Sequence, residues 1–514
     1  MNKFKAVRVI IASLFFVLTL FLFFDLTHNY LEFIAHPILF MQFIPSVFKF
    51  LTGVSFLSLG FLLILILTSL LGRVYCSTIC PFGILQDIIS SIHKKNNYKF
   101  KFRFKSESFW LRYGILILTV ITPFLTTMVI VNLLDPYSNF GRISSQLFSP
   151  IYIFLNNMVS SVFELFGSYA VQPISYKSIR LELIVFPFFM LFVVGYLAFK
   201  YGRLYCNTIC PVGTLLGLIS KFSLFKIKIE DHKCKSCGKC EFVCKSECID
   251  SKNKNIDFTR CVGCFNCLSV CPSKGINFEF DYKKIKNSTD ESKRKFIKDV
   301  SMFIAGTTII AKAQNKIKVY KDNTVPVSKT NFATPAGSIS IEHFTDYCTA
   351  CHLCVSSCPT GVLQPAFLEH GLTGILQPYL DNHKGFCNFE CVLCSKVCPS
   401  GAILPIKLED KKLKQIGIAQ FVKDNCIVFT EKTDCGACSE HCPTKAVKME
   451  AIEGGLVAPK VYPDYCIGCG ACEYACPTKP FKAIYVEGNY THVNAKPPIV
   501  EKINVPVGTE DFPF

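Results

Sequence analysis

The stretch GRVYCSTICPFG, residues 72–83, decides the fold, because the chain repeats it almost unchanged as GRLYCNTICPVG at residues 202–213. Each copy follows a run of about twenty apolar residues and places two cysteines four residues apart, directly before a proline. These cysteines are Cys76 and Cys80 in the first copy, and Cys206 and Cys210 in the second. The repeat predicts a membrane-length segment that ends in a cysteine motif, present twice.

Four stretches are long enough to cross the hydrocarbon core of a membrane, which requires about 20 apolar residues. They are residues 7–26, 51–71, 109–131 and 181–199. Two other apolar stretches, 36–50 and 151–171, are interrupted by proline, amide or acidic residues, and we expect them to lie at the membrane surface. The sequence thus predicts a membrane domain of four transmembrane helices over residues 1–225.

The basic residues near these spans predict their orientation. The 72–108 loop is rich in lysine and arginine, whereas the 27–50 loop contains Lys49 alone and the 132–180 loop contains three basic residues. Both ends of the four-span domain should therefore face the cytoplasm, and both cysteine motifs should lie at cytoplasmic helix ends. Two parallel repeats would let the four thiols converge. A shared metal or iron–sulfur site, a thiol–disulfide pair and plain packing cysteines all fit this spacing.

The remaining cysteines indicate iron–sulfur clusters. The chain has 29 cysteines in 514 residues, and most lie in C-x-x-C-x-x-C-x-x-x-C runs, the spacing of bacterial [4Fe–4S] ligation. The formal net charge of +17 would suggest an anionic partner. However, much of the lysine flanks apolar spans, and thiolate-bound clusters are themselves anionic. We therefore expect no nucleic-acid partner.

Residues 226–285 contain two such motifs, CKSCGKCEFVC at 234–244 and CVGCFNCLSVCP at 261–272, and are predicted to form a dicluster ferredoxin domain. Three thiolates of each run hold one cluster, and the fourth cysteine crosses to the other. The first expected ligand set is Cys234, Cys237, Cys240 and Cys271, and the second is Cys261, Cys264, Cys267 and Cys244. Cys248 has no assigned role, and a free thiol or a substitute for Cys244 are its alternatives.

Residues 331–514 contain four further motifs and are predicted to form a four-cluster domain. Their expected ligands are Cys348, Cys351, Cys354, Cys358, Cys387, Cys391, Cys394, Cys398, Cys426, Cys435, Cys438, Cys442, Cys466, Cys469, Cys472 and Cys476. Consecutive and nested exchange of the fourth cysteines both fit the sequence. The stretch CTACH, 348–352, also matches the C-x-x-C-H pattern of haem attachment, but haem would leave Cys354 and Cys358 without a role. Six clusters account for 24 cysteines, so electron conduction is the economical function.

The linker 286–330 contains a segment, 292–314, with a basic start, a short apolar core and an A-x-A ending typical of signal peptides. Its SKRKFIK start resembles the twin-arginine export consensus, with Lys293 in place of the first arginine. This resemblance predicts export of residues 331–514 to the periplasm. The alternative is a short cytoplasmic tether, because twelve apolar residues are too few for an uncleaved span.

These motifs together resemble a known family. Residues 1–285 resemble the membrane polyferredoxin of periplasmic nitrate reductase systems (the NapH type), and residues 292–514 resemble its periplasmic partner (the NapG type). The resemblance implies a multi-pass protein of the bacterial inner membrane, with residues 226–285 cytoplasmic. It also implies quinol oxidation, with electrons passed to a periplasmic reductase or cytochrome.

The predicted fold class is a membrane α-helical domain of four transmembrane helices joined to α+β ferredoxin-like domains. No catalytic residue or quinol site is evident, so whether the chain is itself a quinol dehydrogenase stays open. Acidic and histidine side chains near span ends are candidate proton acceptors, although solvated helix ends would explain them equally well: Asp25, His28, Glu32, His36, Asp135 and Glu164. The alternative functions are a cytoplasmic ferredoxin-linked redox or metallo-assembly factor, and a thiol-based sensor.

Overall fold

The computed structural model describes residues 3–24, 31–53, 58–96, 102–125, 128–174, 181–280, 324–367 and 369–498. Three parts are distinguished below by their residues: a helical unit (3–220), a first cysteine-rich unit (225–280) and a second cysteine-rich unit (324–498). The segment 292–314, for which export was predicted, lies outside the described residues, as do residues 499–514.

The helical unit consists of thirteen α-helices among its described residues. They are α1 Lys3–Phe24, α2 Leu31–Phe40, α3 Phe43–Thr52, α4 Gly60–Leu71, α5 Tyr75–Thr78, α6 Pro81–Asn96, α7 Phe109–Ile121, α8 Val129–Leu134, α9 Pro136–Ile143, α10 Ser149–Leu165, α11 Leu181–Tyr201, α12 Leu204–Thr208 and α13 Pro211–Ser220. A 3₁₀ turn, Thr122–Leu125, follows α7, and a π-helical turn, Ser144–Phe148, joins α9 to α10.

Two of the four predicted spans form helices long enough to cross a membrane, α1 and the part of α11 from Glu182 to Tyr201. The other two are shorter than predicted. The expected 51–71 helix begins only at Gly60, and its first residues belong instead to α3, which ends at Thr52 and is followed by Gly53. Residues 54–57 lie outside the described residues. The expected 109–131 helix stops at Ile121, and Pro123 follows in the 3₁₀ turn, where it lacks the N–H that an α-helix requires.

Large apolar side chains cover the outer faces of several helices. On α1, Ile10 and Val17 are more than 60 % exposed, and on α11 the same is true of Phe188 and Phe192. Helices α4, α7 and α10 carry similar exposed apolar side chains. Soluble monomers rarely expose so much contiguous apolar surface.

The region 132–180, where the sequence predicted a surface stretch over 151–171, contains two helices in different environments. Helix α9 is buried along its whole length, and Asp135 caps its N-terminus by accepting hydrogen bonds from the backbone N–H groups of Tyr137 and Ser138. Helix α10, in contrast, lies on the outside, where Asn157 joins it to the following chain through the backbone of Ile174.

The first cysteine-rich unit is a small α+β fold. Strands β1 (Phe225–Ile229) and β4 (Ile276–Phe280) pair antiparallel along their full length, from Phe225 opposite Phe280 to Ile229 opposite Ile276. Between them lie a short hairpin, β2 (Ile249–Asp250) with β3 (Asn255–Ile256), and two helical turns, Lys239–Phe242 and Asn266–Val270. The ends of the chain segment thus close around the two cysteine motifs.

The second cysteine-rich unit contains three antiparallel strand pairs with cysteine motifs between them. The strands are β5 Leu363–Pro365, β6 Pro378–Leu380, β7 Lys414–Phe421, β8 Val447–Ala451, β9 Val457–Val461 and β10 Ile484–Asn494, which pair as β5–β6, β7–β10 and β8–β9. Short helices are Ile341–Tyr347, Leu353–Ser356, Leu393–Val397, Leu408–Leu413, Ile427–Thr430, Ala437–Glu440 and Ala471–Ala475.

The two cysteine-rich units lie at opposite ends of α1. Near its start, the ring of Phe4 lies 5.7 Å from the rings of both Phe265 and Phe278 in the first unit. At its end, Phe23 packs against α9 beside Gly141, and α1 contacts the short helix Leu353–Ser356 of the second unit. Residues 4 and 23 of one helix are about 28 Å apart at a rise of about 1.5 Å per residue.

Candidate metal centres

Each regular cysteine motif reverses the chain at two residues with left-handed backbone. In C-x-x-C-x-x-C, the residue two after the first cysteine and the residue directly after the second both have positive φ. The pairs are Ser236 and Gly238, Gly263 and Phe265, Ala350 and His352, and Gly468 and Gly470. Residues other than glycine rarely adopt this conformation. Its recurrence shows that the local backbone is shaped to bring the thiols of one motif around one space.

The first unit contains a cavity of about 320 Å³ lined by Cys261, Cys264 and Cys267 of one motif and Cys244 of the other. Its other walls are mostly apolar, and they include Ile227. This set of thiols is the one expected from the sequence for the second cluster of the unit. Cys248 lines the same cavity, with its Sγ 3.5 Å from that of Cys244. Both alternatives for Cys248 therefore stay open.

The second unit contains two cavities of the same kind. One, of about 500 Å³, is lined by Cys387, Cys391 and Cys394 together with Cys358 of the preceding motif. The other, of about 350 Å³, is lined by Cys426, Cys435, Cys438 and Cys476. In both, three thiols come from one motif and the fourth comes from its partner, as in dicluster ferredoxins.

The thiols that do not line these cavities form the complementary groups. Cys354 interacts electrostatically most strongly with Cys351, Cys348 and Cys398. Cys472 interacts most strongly with Cys469, Cys466 and Cys442. In the first unit, Cys240 neighbours Cys234 and Cys237, and Gly275, four residues after Cys271, lies against Cys234. A four-thiol set with apolar walls fits an iron–sulfur cluster, and these residues would hold it.

The exchange of fourth cysteines in the second unit is consecutive. The motif that begins at Cys348 pairs with the one that begins at Cys387, and Cys358 and Cys398 are exchanged between them. The motif that begins at Cys426 pairs with the one that begins at Cys466. The sequence left nested pairing as an equal alternative, and the structure does not adopt it.

The four thiol sets of the second unit form a series. The set with Cys348 and Cys351 lies against the helical unit. The carbonyl oxygen of Cys351 comes so close to Gly141 of α9 that a side chain at residue 141 would collide with it. At the junction of the two motif pairs, the backbone N–H of Cys387 donates to the carbonyl of Cys469 over 2.8 Å. The sets therefore follow one another from the helical unit outward, which spacing in the sequence did not reveal.

In five of the six motifs the fourth cysteine begins a Cys-Pro-Ser/Thr sequence, and the hydroxyl group of the serine or threonine lies near the sulfur atom of that cysteine. The pairs are Cys271 with Ser273, Cys358 with Thr360, Cys398 with Ser400, Cys442 with Thr444 and Cys476 with Thr478, at 3.1–3.8 Å. Hydrogen bonds to cysteine sulfur tune the reduction potential of an iron–sulfur cluster. The serine or threonine after Cys-Pro was therefore a readable signal in the sequence.

His352, the histidine of the stretch that matches the C-x-x-C-H haem pattern, is buried, and its Nε2 lies 2.8 Å from the carbonyl oxygen of Leu376. Burial, together with the positive charge of Arg142, lowers the pKa of His352 to about 3. Cys354 and Cys358 both lie in four-thiol sets. These contacts agree with the prediction that His352 is a side chain beside a cluster.

The candidate proton acceptors occupy different environments. Asp25 and His28 lie outside the described residues, as does the side chain of Glu32, and Glu164 is exposed. Asp135 is 2 % exposed and caps the buried helix α9, so it is no solvated helix end. The acidic side chain that the sequence missed is Asp87, which is buried beside Arg8, Arg203 and Lys245.

The four cysteines of the repeated motif, the thiol quartet of Cys76, Cys80, Cys206 and Cys210, converge inside the helical unit. Each is at most 4 % exposed. All 29 cysteines lie among the described residues, and no two of them form a disulfide. Within the described part of the chain, no three Cys, His, Asp or Glu side chains come together as ligands of one ion would. That holds for the quartet and for the ferredoxin-like motifs alike, so the lined cavities and thiol sets are the basis of the assignment.

Comparison with known families finds iron–sulfur domains over parts of the chain that contain these motifs. A 4Fe-4S binding domain family matches residues 52–99 and 183–230, which contain the two repeated motifs. Two 4Fe-4S dicluster domain families match residues 431–479 and 257–362. The second of these matches joins motifs that the structure places in different units, so it reflects cysteine spacing and not spatial pairing.

Several curated proteins are similar to parts of the chain. An uncharacterized protein of Methanocaldococcus jannaschii is 26 % identical over 294 residues, which is 56 % of this chain and 92 % of the relative. The ferredoxin-type protein NapH of Haemophilus influenzae is 25 % identical over 236 residues, 44 % of this chain and 69 % of the relative. The pyruvate synthase subunit PorD of Methanothermobacter marburgensis is 35 % identical over 69 residues, 13 % of this chain and 84 % of the relative. No solved structure matches the chain.

The fold and the thiol sets define a class of electron-transfer proteins built from ferredoxin-type modules. The chain belongs to the polyferredoxins, iron–sulfur proteins with several [4Fe–4S]-binding domains. Within that class its similarity extends to NapH-type proteins, as the sequence indicated, whereas a fusion with a NapG-type partner stays a prediction.

Proposed function

We propose that the protein conducts electrons across a membrane through six [4Fe–4S] clusters, from quinol to a reductase or cytochrome in the periplasm. The helical unit, residues 1–225 as predicted from the sequence, anchors the protein in the bacterial inner membrane. Residues 226–285 lie on the cytoplasmic side and residues 331–514 on the periplasmic side. The 24 cysteines of the six motifs hold the clusters.

The observation that carries this proposal is the position of the two cysteine-rich units at opposite ends of α1. A helix of 22 residues spans about 33 Å, close to the thickness of the hydrocarbon core. The basic 72–108 loop lies on the same side as the first unit, because the backbone N–H of Lys105 donates to the carbonyl of Glu247 in that unit. This arrangement supports a cytoplasmic first unit and agrees with the charge bias.

The topology is tested with sealed membrane vesicles of known orientation and an antibody against the second unit. An impermeant protease should degrade residues 331–498 in right-side-out vesicles and leave them intact in inverted ones. The opposite pattern would contradict the periplasmic position and favour a protein with all clusters in the cytoplasm.

The cluster content and the donor are tested on protein purified without oxygen. The six motifs should hold about 24 iron atoms per chain, and reduction should bleach the broad visible absorption. A protein that contains zinc or almost no iron would refute the conducting function. If reduced menaquinone and ubiquinone analogues both fail to bleach the clusters, quinol is not the donor, while conduction itself stands.

A second candidate donor is a reduced soluble ferredoxin in the cytoplasm. Cys237 is the one exposed cysteine among the 29, and it belongs to the thiol set of the first unit farthest from the quartet. A cluster there would be accessible to a docking protein. Rapid bleaching by reduced ferredoxin, without bleaching by quinol, would favour this donor.

A further inference from the structure

The six clusters do not use the thiol quartet, yet its four cysteines are also buried and close together. Cys76, Cys80, Cys206 and Cys210 are only 3–4 % exposed. Each of the six possible pairs among them is close enough to interact electrostatically. Four thiols from two distant parts of the chain therefore share one buried site.

The two copies of the motif are interlocked by their arginines. Arg73 of the first copy donates to the carbonyl oxygen of Cys206 over 3.1 Å, and Arg203 of the second donates to that of Cys76 over 2.7 Å. The glycine of each motif makes this crossing possible, because a Cβ on Gly83 or Gly213 would collide with the same carbonyl groups. The motif thus encodes an approximate two-fold site around the four sulfur atoms.

The interlocking arginines also place positive charge beside the sulfur atoms. The Nη2 of Arg73 lies 3.9 Å from the Sγ of Cys76, and the Nη1 of Arg203 lies 3.9 Å from the Sγ of Cys206. Smaller donors add to them: Gln86 Nε2 lies 3.2 Å from the Sγ of Cys206, and the N–H of Gly213 lies 3.4 Å from the Sγ of Cys210. Hydrogen-bond donors around sulfur favour its anionic form.

The charge balance at the quartet calls for an anion. Arg73 and Arg203 are both fully buried. Asp87 is the carboxylate partner of Arg203, but it also pairs with Arg8 and Lys245. Among the described residues, no carboxylate lies within ion-pair distance of Arg73, and its Nε has no hydrogen-bond partner. A buried guanidinium needs a counter-charge, and four cysteine thiolates around iron supply one.

The quartet lies between the two cysteine-rich units. On the first-unit side, Arg73 donates to the carbonyl oxygen of Thr259 over 2.9 Å, two residues before Cys261, and Val74 packs on Gly263. Arg73 therefore contacts both the quartet, at Cys206, and the loop that leads into the nearest motif of the first unit, at Thr259.

On the other side, the tyrosine of the second motif copy points towards the second unit. Tyr205 interacts electrostatically with Cys210, and its hydroxyl group donates to the carbonyl oxygen of Leu134, the last residue of α8, over 3.3 Å. Arg142 of α9 interacts with both Tyr205 and Cys351. Tyr205 and Arg142 therefore lie between the quartet and the nearest thiol set of the second unit, within electrostatic range of both.

We propose that Cys76, Cys80, Cys206 and Cys210 hold a four-thiolate iron–sulfur centre that relays electrons between the two cysteine-rich units. The centre accepts one electron from a reduced cluster on one side and gives it to an oxidised cluster on the other, with no bond made and no proton moved. Electron tunnelling falls steeply with distance, and the units are about 28 Å apart along α1, so a centre between them makes the transfer feasible. This relay rests on the proposed function, since it needs clusters in both units.

The test uses the full-length protein, purified without oxygen, and the variants Cys80→Ser and Cys210→Ser. Thr78→Ala is the matched control, because it alters a buried residue of the same motif copy as Cys80 without removing a thiol. The wild type should hold iron and sulfide beyond the amount for six clusters, about 28 iron atoms if the centre is a cubane and about 26 if it has two irons. Both cysteine variants should lose this excess together with one electron paramagnetic resonance signal, and the control should keep both.

Transfer between the units is measured in proteoliposomes with ferricyanide trapped inside and dithionite outside. The cysteine variants should reduce ferricyanide at least about tenfold more slowly than the wild type and the control, while dithionite still bleaches their outward-facing clusters. A wild type with about 24 irons, or variants with unchanged iron and transfer, would overturn the relay and leave the six-cluster function standing. Zinc at the quartet, or a disulfide within it, would overturn the relay too. A wild type without iron would overturn both proposals.

Discussion

Among the described residues, Asp87 is the carboxylate that pairs with three buried cations next to the quartet, and its loss should strongly destabilise the junction between the helical unit and the first cysteine-rich unit. It pairs with Arg8 of α1 at 2.9 Å, with Arg203 of the second motif at 2.9 Å and with Lys245 of the first unit at 3.5 Å. The three cations hold the pKa of Asp87 well below its usual range, although burial opposes this shift. Asp87 is therefore ionised at neutral pH.

The substitution Asp87→Asn keeps the size of the side chain and removes its charge. It leaves Arg8, Arg203 and Lys245, each less than 10 % exposed, as mutually repelling buried cations. Removal of one partner from a buried ion pair costs about 3–5 kcal/mol. We expect a loss of this size, because the Arg203 guanidinium makes both a hydrogen bond from Nε and an ion pair from Nη2 to this carboxylate.

The assay is urea unfolding in detergent, followed by the visible absorption of the clusters and by alkylation of Cys76 as a report on the helical unit. Asp231→Asn is the control, since it makes the same chemical change at an exposed ion pair with Lys254, where the expected loss is below about 1 kcal/mol. If Asp87→Asn and Asp231→Asn lower the free energy of unfolding equally, the buried charge network does not stabilise the junction and the reasoning is wrong.

Three further predictions concern the second unit. Thr478→Val removes the hydroxyl group 3.1 Å from the Sγ of Cys476, so one cluster should have a reduction potential about 20–60 mV more negative in a potentiometric titration. This shift corresponds to the loss of one hydrogen bond of about 0.5–1.5 kcal/mol. Thr478→Ser keeps the hydroxyl group and should not shift the potential. Burial, aided by the charge of Lys414, lowers the pKa of His492 to about 4, so the unfolded chain takes up the proton first and stability should fall as the pH drops from 7 towards 4. That loss, about 2 kcal/mol between pH 7 and 5, should vanish in His492→Gln when the midpoints of thermal cluster loss are compared. Gly141→Ala should destabilise docking of the second unit by about 1–3 kcal/mol and slow transfer through proteoliposomes, whereas Gly195→Ala, whose Cβ meets open space, should change neither.

The cysteine spacing predicted most of the site, because cluster ligation is a local property of the chain. Three thiols of each cavity come from a C-x-x-C-x-x-C run or its irregular variants. The fourth thiol is set by tertiary packing, and no spacing rule could choose between consecutive and nested exchange in the second unit. In the first unit, where two motifs leave no alternative partner, the expected grouping of Cys244 with Cys261 is the one that the structure shows.

The helix lengths were harder to predict from the sequence. Hydropathy alone favoured unbroken spans over 51–71 and 109–131, but Gly53 and Pro123 interrupt the backbone there. The crossed arginines were visible in the sequence as the GR of GR-x-Y-C, yet their role depends on the other copy of the motif, which is 130 residues away in the chain. Local patterns can show that Arg73 is part of the motif, but only the packed structure shows which carbonyl group it reaches.

The exposure of the cysteines bears on where electrons enter and where they are protected. A reduced iron–sulfur centre in contact with water or oxygen loses its electron to unwanted acceptors, so a long conductor benefits from a dry middle. The thiol quartet and Cys351 of the second unit are buried, whereas Cys237 in the outermost set of the first unit is exposed. Buried positive charge is also found in the middle of the protein, because Arg73 and Arg203 lie at the quartet. A favourable interaction with an added electron is needed most at such a buried site. Burial makes an added electron costly and the fixed guanidinium groups offset that cost, so the same residues that close the middle to water also keep it reducible.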